Sequence, residues 1–234
     1  MQNMKLLIII PAFNEEKNIV RVVEELKQKC PQYDYVVIND GSHDATSKVC
    51  REKGYNQISL PINLGLSGAF QTGMKYAYRN GYDCAIQYDG DGQHDQKYIS
   101  QMADCMQNRN ADIVIGSRYL EEGKGKSLRT FGNSVINMFI YWSSRKRIHD
   151  STSGMRLYNR KIIGFYATHI NYNPEPDTIA YLIRCGAKVE EIQVVMRERI
   201  AGKSYLHMSA ACNYMINICS SILFMQWFRK KEKI

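Results

Sequence analysis

Paired cysteines are the first feature that this sequence lacks. Its seven cysteines are an odd number, and none of them belongs to a Cys-x-x-Cys pair. This argues against a disulfide framework and against a zinc site, so we expect reduced, mostly buried thiols in a cytosolic protein. The sequence also has no internal repeat and no low-complexity linker. Its 234 residues are therefore most simply one domain with a sizeable core.

Long hydrophobic runs are scarce as well. Leu6 to Ile10 is too short for the apolar part of a signal peptide, and we expect none. Ser209 to Phe228 is long enough to cross a bilayer, but Asn, Ser and Gln side chains interrupt it and make it a poor membrane-spanning helix. We expect an amphipathic helix at a membrane interface or against a partner. A helix of the core or of a dimer is the alternative.

Positive charge is in excess, with a formal net charge of +8. Much of it lies in three clusters: Lys124, Lys126 and Arg129; Arg145, Lys146 and Arg147; and Arg229, Lys230, Lys231 and Lys233. Basic clusters suit nucleic acid, anionic lipid or phosphate-bearing substrates, and a merely soluble basic surface is the plain alternative. Trp227 and Phe228 directly precede the last cluster, which favours a lipid headgroup region.

The first half of the chain alternates strand patterns with helix patterns. The predicted strands are Lys5–Ile10, Tyr35–Asn39, Gln57–Leu60, Tyr82–Tyr88 and Asp112–Gly116. The first predicted helix opens at Pro11-Ala12-Phe13-Asn14-Glu15-Glu16 and ends at about Lys29. Three more helices are predicted over Asp44–Lys53, Ser67–Asn80 and Gln96–Gln107. This alternation predicts an α/β fold with a doubly wound, mostly parallel sheet flanked by helices.

After Arg118 the pattern loosens. We predict helices over Phe131–Ser144, Pro174–Cys185 and His207–Phe228, a short strand after Ser153-Gly154-Met155-Arg156, and a strand over Val189–Val195.

Polar motifs stand where the predicted strands end. Asn14 and Glu15 follow the first strand, Asp40 the second and Asp89 the fourth, and Arg118 follows the fifth. Ligands of doubly wound sheets bind beyond the carboxyl ends of the strands, so these side chains are expected at one site. Asn14 is also expected to cap the first helix, with acidic residues in its first turn.

The segment Asp89-Gly90-Asp91-Gly92-Gln93-His94 carries the clearest chemistry. Two carboxylates two residues apart at the end of a buried strand suit a hard cation, Mg²⁺ or Mn²⁺. Such ions take their remaining ligands from water and substrate phosphates, which points to a diphosphate. The plain alternative is an acidic, Gly-rich turn that holds no ion.

Taken in order, these motifs resemble the family 2 glycosyltransferases, in particular the branch that contains dolichol-phosphate mannose synthase and bacterial polyprenyl-phosphate glycosyltransferases. The matching segments are Pro11-Ala12-Phe13-Asn14-Glu15, Asp40-Gly41-Ser42, Asn63-Leu64-Gly65, Asp89 to His94, Gly116-Ser117-Arg118-Tyr119, Ser153 to Arg156, and Arg199 to Ser204. Each segment is weak alone, whereas the ordered set is specific. The resemblance implies a GT-A fold and transfer of a sugar from a nucleotide donor, with inversion and with a divalent metal.

The resemblance also implies roles for residues. The donor site would comprise Pro11, Ala12, Asn14, Glu15, Asp40, Asn63, Gly65, Asp89, Gly90, Asp91, Arg199 and Ser204. Asp89, Asp91 and Gln93 would hold Mg²⁺ or Mn²⁺, and Asp91 would be catalytic; His94 either adds a ligand or caps the next helix. The donor is expected to be a UDP-sugar, with GDP- and dTDP-sugars as alternatives. Tyr205 stands where the family often has Lys.

The acceptor has two alternatives. A polyprenyl phosphate is already anionic, and Arg118, Arg129 and Asn133 match its phosphate-guiding positions, where Ser usually stands in place of Asn133. A saccharide hydroxyl, as on a lipid-linked glycan, needs a base, for which Glu175 or Asp177 is the candidate. Asp150 is a further candidate for the base, but it is expected to shape its loop instead.

These observations predict a glycosyltransferase domain over residues 1–205. Residues 206–234 would form a C-terminal helix and basic tail, either within that domain or as a membrane-interface element. We expect an enzyme of cell-surface glycan assembly, peripheral at the cytoplasmic face of the membrane, with no nucleic-acid partner and with a homodimer left open. The alternative from another class is a non-catalytic nucleotide-sugar binding protein. A dinucleotide-binding oxidoreductase and a nucleotidyltransferase fit less well, because neither glycine fingerprint follows the first strand.

Overall fold

The computed structural model of the chain describes residues 4–90, 93–120, 128–169, 172–196, 208–225, 228–229 and 231. Its sheet has seven strands: β1 (Leu6–Ala12), β2 (Asp34–Asn39), β3 (Gln57–Ser59), β4 (Cys84–Gln87), β5 (Ile113–Ser117), β6 (Arg156–Asn159) and β7 (Val189–Gln193). Their order is β3-β2-β1-β4-β6-β5-β7. The pairing is parallel except at β6, which runs antiparallel to both β4 and β5.

Helices cover both faces of this sheet. They are α1 (Ile19–Lys29), α2 (Thr46–Glu52), α3 (Gly65–Arg79), α4 (Lys97–Arg109), α5 (Leu128–Ser144), α6 (Arg160–Thr168), α7 (Pro176–Arg184) and α8 (Met208–Ser220), which a π-helical turn (Ser221–Met225) follows. One buried cluster packs α1, α2 and α4 on one face, and a second packs α3, α5, α6, α7 and α8 on the other. The predicted doubly wound α/β fold is thereby confirmed.

The burial of β1 explains its sequence. All five residues from Leu6 to Ile10 are buried, because helices lie on both sides of this central strand. A strand that is covered on both faces needs apolar residues at every position rather than at alternate ones. The carboxyl end of β1 therefore leads straight from the core into the polar segment that begins at Pro11.

The expected cap at Asn14 is wrong. Helix α1 begins only at Ile19, and its first turn contains no acidic residue. Asn14 lies in the left-handed region with a φ of 57°, and its Oδ1 atom accepts a hydrogen bond from the His43 backbone N–H at 2.9 Å. Since its side chain holds a neighbouring loop, Asn14 shapes the approach to the site instead of starting a helix.

Helix α6 was not predicted, although its start carries a recognisable signal. The Oδ1 atom of Asn159 accepts a hydrogen bond from the Ile162 backbone N–H at 3.1 Å. Asparagine is a favoured residue at this capping position. The strand that ends at Asn159 is short, and the chain turns directly from it into the helix.

The cysteines are less buried than expected. Six of them lie in the described part of the chain, and all six are free thiols. Cys30, Cys50 and Cys84 are buried, whereas Cys105, Cys185 and Cys219 are partly exposed. The side chain of Cys212 lies outside the described part of the chain.

The predicted C-terminal helix is shorter than the sequence suggested. Its α-helical winding ends at Ser220, where the π-helical turn begins. Ile218 and Ile222 are buried against α5 and α7, so this segment packs on the same core as the sheet. In the described residues no helix combines the length and the apolar character that a membrane crossing requires.

Candidate active site

The turn after β2 is built around Asp40. This carboxylate is buried, and its Oδ1 atom accepts a hydrogen bond from the Leu64 backbone N–H at 2.8 Å. The Asp40 backbone N–H donates to Ala12 O at 2.9 Å. Gly41 follows with a φ of 65°, and a Cβ there would lie 2.6 Å from Asn63 N. The turn therefore requires glycine, and Asp40 joins the ends of β1 and β2 to the start of α3.

Glu15 faces the same edge of the sheet. Its Oε2 atom accepts a hydrogen bond from Asn18 Nδ2 at 2.7 Å, and its backbone N–H donates to Thr46 Oγ1 at 2.9 Å. A Cβ at Gly90 would lie 3.8 Å from Glu15 Cγ and 2.9 Å from Pro11 O. Only a residue without a side chain allows this close approach. The segment after β1 and the segment after β4 are thus in direct contact.

Further predicted donor residues lie in the same turn region. The Oδ1 atom of Asn63 accepts a hydrogen bond from the Gly65 backbone N–H at 3.1 Å. Gly65 has a φ of 74° and is the first residue of α3. The structure therefore brings Pro11, Ala12, Glu15, Asp40, Asn63, Gly65, Asp89 and Gly90 to the carboxyl ends of β1, β2 and β4 or to the turn beside them.

His94 contacts Asp89 from the interior of the protein. The Asp89 backbone N–H donates to His94 Nδ1 at 3.0 Å, and the carboxylate Oδ2 lies 3.4 Å from His94 Nε2. The imidazole is fully buried, whereas the Asp89 side chain keeps 35% of its surface exposed. Gln87 Nε2 donates to Asp89 Oδ1 at 3.4 Å. The carboxylate is therefore oriented from within the protein and open toward solvent.

The 150–155 loop connects Asp89 to the end of β5. A Cβ at Gly154 would lie 3.0 Å from Asp89 Oδ2, and Met155 O accepts a hydrogen bond from the Gly116 backbone N–H at 2.9 Å. The loop reaches this position because β6, which follows it, runs antiparallel between β4 and β5. One short segment thus lies against the two strand ends that carry Asp89 and Arg118.

Arg118 forms a buried ion pair with Asp150. Its Nε and Nη2 atoms donate to the two carboxylate oxygens at 2.6 and 2.8 Å, and its backbone N–H donates at 3.0 Å. Nη2 also donates to Thr152 Oγ1 at 2.9 Å. The Asp150 side chain is fully buried. This fits the loop-shaping role expected of Asp150, and it leaves Nη1 without a hydrogen-bond partner among the described residues.

Asn133 on α5 also contacts this loop. Its Nδ2 donates to His149 O at 2.8 Å, and its Oδ1 accepts from Thr152 Oγ1 at 3.3 Å. One turn further along α5, Asn137 Nδ2 donates to His149 O at 2.7 Å. The structure therefore brings Arg118 and Asn133 together through Thr152. Both the nitrogen and the oxygen of the Asn133 amide therefore bind the segment from His149 to Thr152.

Glu175 and Asp177 contact the C-terminal segment. The Tyr214 hydroxyl donates a short hydrogen bond to Glu175 Oε2, and the Ser221 hydroxyl donates to Asp177 Oδ2 at 2.6 Å. Burial raises the pKa of Glu175 above its ordinary range, while the hydrogen bond from Tyr214 and the charge of Arg156 oppose that rise. Both carboxylates are therefore partners of α8 and the turn after it.

Arg156 is a buried cation that sequence analysis did not assign a role. Its Nη1 donates to Pro174 O at 2.7 Å and its Nη2 to Ser151 O at 2.6 Å. It thereby joins the 150–155 loop to the segment that begins α7. The signal available in the sequence was an arginine directly before the apolar pair Leu157 and Tyr158, at the start of a short predicted strand.

Several predicted residues cannot be placed. Asp91, Arg199 and Ser204 lie outside the described residues, and so does the side chain of Arg129. Their assignments stay predictions.

Carboxylates and tight glycine turns collect at the carboxyl ends of a mostly parallel α/β sheet, which is where enzymes with such sheets bind their ligands. Residues 7–165 match the family described as Glycosyl transferase family 2. The chain belongs to this family, and it is a glycosyltransferase.

Two curated relatives are informative. Polyprenol monophosphomannose synthase of Mycolicibacterium smegmatis is 29% identical over 211 residues, which cover 85% of this chain and 79% of the relative. UDP-N-acetylglucosamine–dolichyl-phosphate N-acetylglucosaminyltransferase of Methanococcus voltae is 30% identical over 177 residues, which cover 67% of this chain and 70% of the relative.

A solved structure confirms the fold. Glucosyl-3-phosphoglycerate synthase of Mycobacterium tuberculosis, in complex with Mn²⁺, UDP and glucosyl-3-phosphoglycerate, superimposes with a TM-score of 0.66. The match covers 94% of this chain and 80% of that protein at 14% sequence identity.

The described residues fit the divalent cation that the family implies. Asp89 offers a partly exposed carboxylate, Gln93 offers an amide oxygen, and the absence of a side chain at Gly154 leaves room beside Asp89 Oδ2. Oxygen donors of this kind suit a hard cation. Within the described ranges no three His, Cys, Asp or Glu side chains form a cluster, and Asp91, the expected second carboxylate, is not among the described residues.

Proposed function

We propose that the enzyme transfers a single sugar, with inversion, from a nucleoside-diphosphate sugar to a polyprenyl phosphate during cell-surface glycan assembly. UDP is the preferred nucleotide, and GDP and dTDP are the alternatives. The observation that carries the proposal is the 150–155 loop, which passes beside Asp89 at Gly154, where a Cβ would lie 3.0 Å from Asp89 Oδ2, and holds Arg118 through Asp150. A donor diphosphate at Asp89 and an acceptor phosphate at Arg118 would then meet across this loop.

On the donor side, Glu15 and Asp40 would accept hydrogen bonds from the nucleoside. Asp89, Asp91 and Gln93 would hold Mg²⁺ or Mn²⁺, with Arg199 and Ser204 on the diphosphate. When bound, the cation supplies positive charge that stabilises the leaving nucleoside diphosphate. Asp91 is the catalytic carboxylate in this scheme. The structurally similar enzyme in complex with Mn²⁺ and UDP supports a nucleoside-diphosphate donor and a divalent cation for this fold, not the individual residues.

On the acceptor side, a phosphate needs cations more than it needs a base. Arg118 can donate from Nη1, and guanidinium N–H groups suit phosphate oxygens. Since Asp150 neutralises much of the Arg118 charge, Arg129 is expected to supply a second cation, with Asn133 holding the loop. The names of both relatives, each a transferase to a lipid phosphate, support this acceptor.

A hydroxyl acceptor is the second candidate, with Glu175 or Asp177 as the base. Two hydrogen bonds count against it, because Tyr214 and Ser221 already occupy these carboxylates. Glu175→Gln and Asp177→Asn, each measured separately, distinguish the two candidates. Removal of a general base lowers kcat by about 10²–10⁴-fold, whereas transfer to a phosphate should change little.

The lipid acceptor implies contact with a membrane. Exposed apolar side chains lie on α5 and on the C-terminal segment: Phe131, Met138, Trp142, Ile216, Phe224 and Phe228. Exposed cations, Arg145, Lys146 and Arg147, directly follow α5. Aromatic and basic residues side by side suit an anionic headgroup region. We therefore place the enzyme at the cytoplasmic face of the membrane, with residues 206–234 forming the interface element on the 1–205 domain.

Cosedimentation with vesicles tests this placement. We expect binding to vesicles that contain phosphatidylglycerol, weaker binding to pure phosphatidylcholine, and a loss on Trp142→Ala with Arg145→Ala. Equal binding to both vesicles would contradict the placement. If the particle mass in vesicle-free solution doubles as the protein concentration rises, the exposed surface is instead the interface of a homodimer.

The donor proposal is tested by thermal shift with UDP-, GDP- and dTDP-sugars, with and without Mn²⁺ or Mg²⁺. A ligand at 100 times its Kd stabilises the native state by about 2.7 kcal/mol. We expect one nucleotide class to stabilise the protein only with metal, and Asp91→Ala to abolish the shift. Transfer of labelled sugar to undecaprenyl phosphate, with an equal amount of undecaprenol as the hydroxyl control, then identifies the acceptor. Turnover with the alcohol alone would refute the phosphate proposal.

A further inference from the structure

His94 closes the segment that carries the predicted metal ligands. Its fully buried ring accepts a hydrogen bond at Nδ1 from the Asp89 backbone N–H at 3.0 Å. Its backbone oxygen accepts a second hydrogen bond from the Tyr88 hydroxyl at 2.6 Å. The Tyr88 and His94 rings also pack edge to face, with their centroids 5.4 Å apart. The two ends of the six-residue segment from Asp89 to His94 are therefore tied together.

The hydrogen bond at Nδ1 determines where the neutral ring carries its proton. Since Nδ1 accepts, the proton lies on Nε2, which has no hydrogen-bond partner among the described residues and lies 3.4 Å from Asp89 Oδ2. Ligation of a metal through Nε2 would require the ring to lose that proton too. His94 is therefore unsuited to be a ligand, and it does not cap α4, which begins at Lys97.

We propose that His94 is a positioning residue, which fixes Asp89 for the cation by accepting the Asp89 backbone N–H at Nδ1. This inference rests on the proposed metal-dependent function. Groups that orient metal ligands contribute to metal affinity, and their removal typically weakens metal binding by about 10- to 100-fold. Gln87 Nε2 lies 3.4 Å from one carboxylate oxygen of Asp89 and His94 Nε2 lies 3.4 Å from the other, whereas the hydrogen bond from the Asp89 backbone N–H to His94 Nδ1 is shorter, at 3.0 Å.

A matched pair of variants isolates this bond. In His94→Asn the amide oxygen can take the place of Nδ1, because both atoms are bonded to Cγ. In His94→Gln the amide lies one carbon further out, near the place of Nε2, so the acceptor for the Asp89 N–H is lost. His169→Asn, at the end of α6, is the control for a histidine substitution elsewhere.

The readout is Mn²⁺ affinity in the presence of UDP, measured by electron paramagnetic resonance of the free ion, together with the melting temperature without metal. We expect His94→Gln to weaken Mn²⁺ binding about 10- to 100-fold, and His94→Asn and His169→Asn to stay close to the unsubstituted protein. A merely structural role would lower the melting temperature of both His94 variants and leave the affinity of the folded protein unchanged. That result would overturn the inference.

Two further outcomes are decisive. If the unsubstituted protein binds no Mn²⁺ with UDP, the metal-dependent function itself fails, and the role of His94 falls with it. If His94→Gln does not fold, His94→Leu takes its place, because leucine fills the buried space and offers no acceptor to the Asp89 backbone N–H. Unchanged Mn²⁺ affinity in folded His94→Leu would then overturn the inference.

Discussion

Asp150→Asn is the perturbation that most directly tests the arrangement of the site. The carboxylate is fully buried and accepts hydrogen bonds from Arg118 Nε, Nη2 and backbone N. An amide at this position keeps one acceptor oxygen but turns an NH₂ group toward the donors of Arg118. The substitution also leaves the guanidinium, whose side chain is only 18% exposed, without a counter-charge.

The expected loss of stability is large. Breaking a buried ion pair by removing one partner costs about 3–5 kcal/mol, because an uncompensated charge stays buried. For a protein of this size 1 kcal/mol corresponds to about 2–4 °C in Tm, so the melting temperature should fall by roughly 6–20 °C. The pair itself contributes less than this, since both charges also lost their hydration on folding.

Urea denaturation of a double-mutant cycle measures these quantities. The cycle comprises Asp150→Asn, Arg118→Leu and the double variant. We expect the double variant to recover part of the loss, with a coupling of about 0.5–3 kcal/mol. A loss below about 1 kcal/mol for Asp150→Asn, as an exposed pair would give, would refute the buried pairing. Arg118 would then be free to meet an acceptor phosphate with its whole charge.

Three further predictions concern other parts of the molecule. Gly41→Ala should lower the free energy of unfolding by more than about 1–2 kcal/mol, the strain of a left-handed residue alone, because its Cβ would lie 2.6 Å from Asn63 N. Gly54→Ala is the control in the same urea titration: Gly54 has a φ of 65° and open space around it, so its substitution should cost only that strain. Burial raises the pKa of Glu175 above its ordinary value of 4.5, so the folded state binds this proton more tightly than the unfolded chain does. The stability should therefore decline as the pH rises from 4.5 through the folded pKa, and the decline in Tm should be absent in Glu175→Gln. Tyr214→Phe should cost about 1.5–3 kcal/mol, as for a hydrogen bond to a charged group, and earlier proteolysis of α8 in the folded variant would be its local signature.

Much of the fold follows from local signals. The strands β1, β2, β4 and β5 are predicted because buried apolar runs end in polar turn residues, as Ile38-Asn39-Asp40-Gly41 does. In a parallel sheet those ends meet at one edge, so the gathering of Glu15, Asp40 and Asp89 also follows from the sequence. Boundaries are less well predicted: α1 begins at Ile19 and not at Asn14, whose side chain accepts a hydrogen bond from the His43 backbone N–H, far away in the chain.

The parts of the site that escaped prediction depend on long-range pairing. Nothing local in residues 156–159 indicates that this strand inserts antiparallel between β4 and β5. Without that placement, the sequence does not predict that Gly154 lies beside Asp89 or that Arg156 donates a hydrogen bond to Pro174 O. The contact of Tyr214 with Glu175 is likewise set by how α8 packs on α7. A helical pattern predicts that α8 packs somewhere, but not against which carboxylate.

The direction of β6 accounts for how the two halves of the site are joined. In a parallel strand the residues after its carboxyl end would reach the site. Because β6 is antiparallel, the residues before it reach the carboxyl ends of β4 and β5, and these residues form the 150–155 loop. Gly154 then lies beside Asp89, and Asp150, four residues earlier, holds Arg118. A segment this short, anchored at both ends and by Asn133 on α5, leaves little freedom for the donor side to move relative to the acceptor side. The proposed transfer between two anionic substrates would benefit from such fixed positioning, since a phosphate acceptor would need to be held in line with the donor rather than activated by a base.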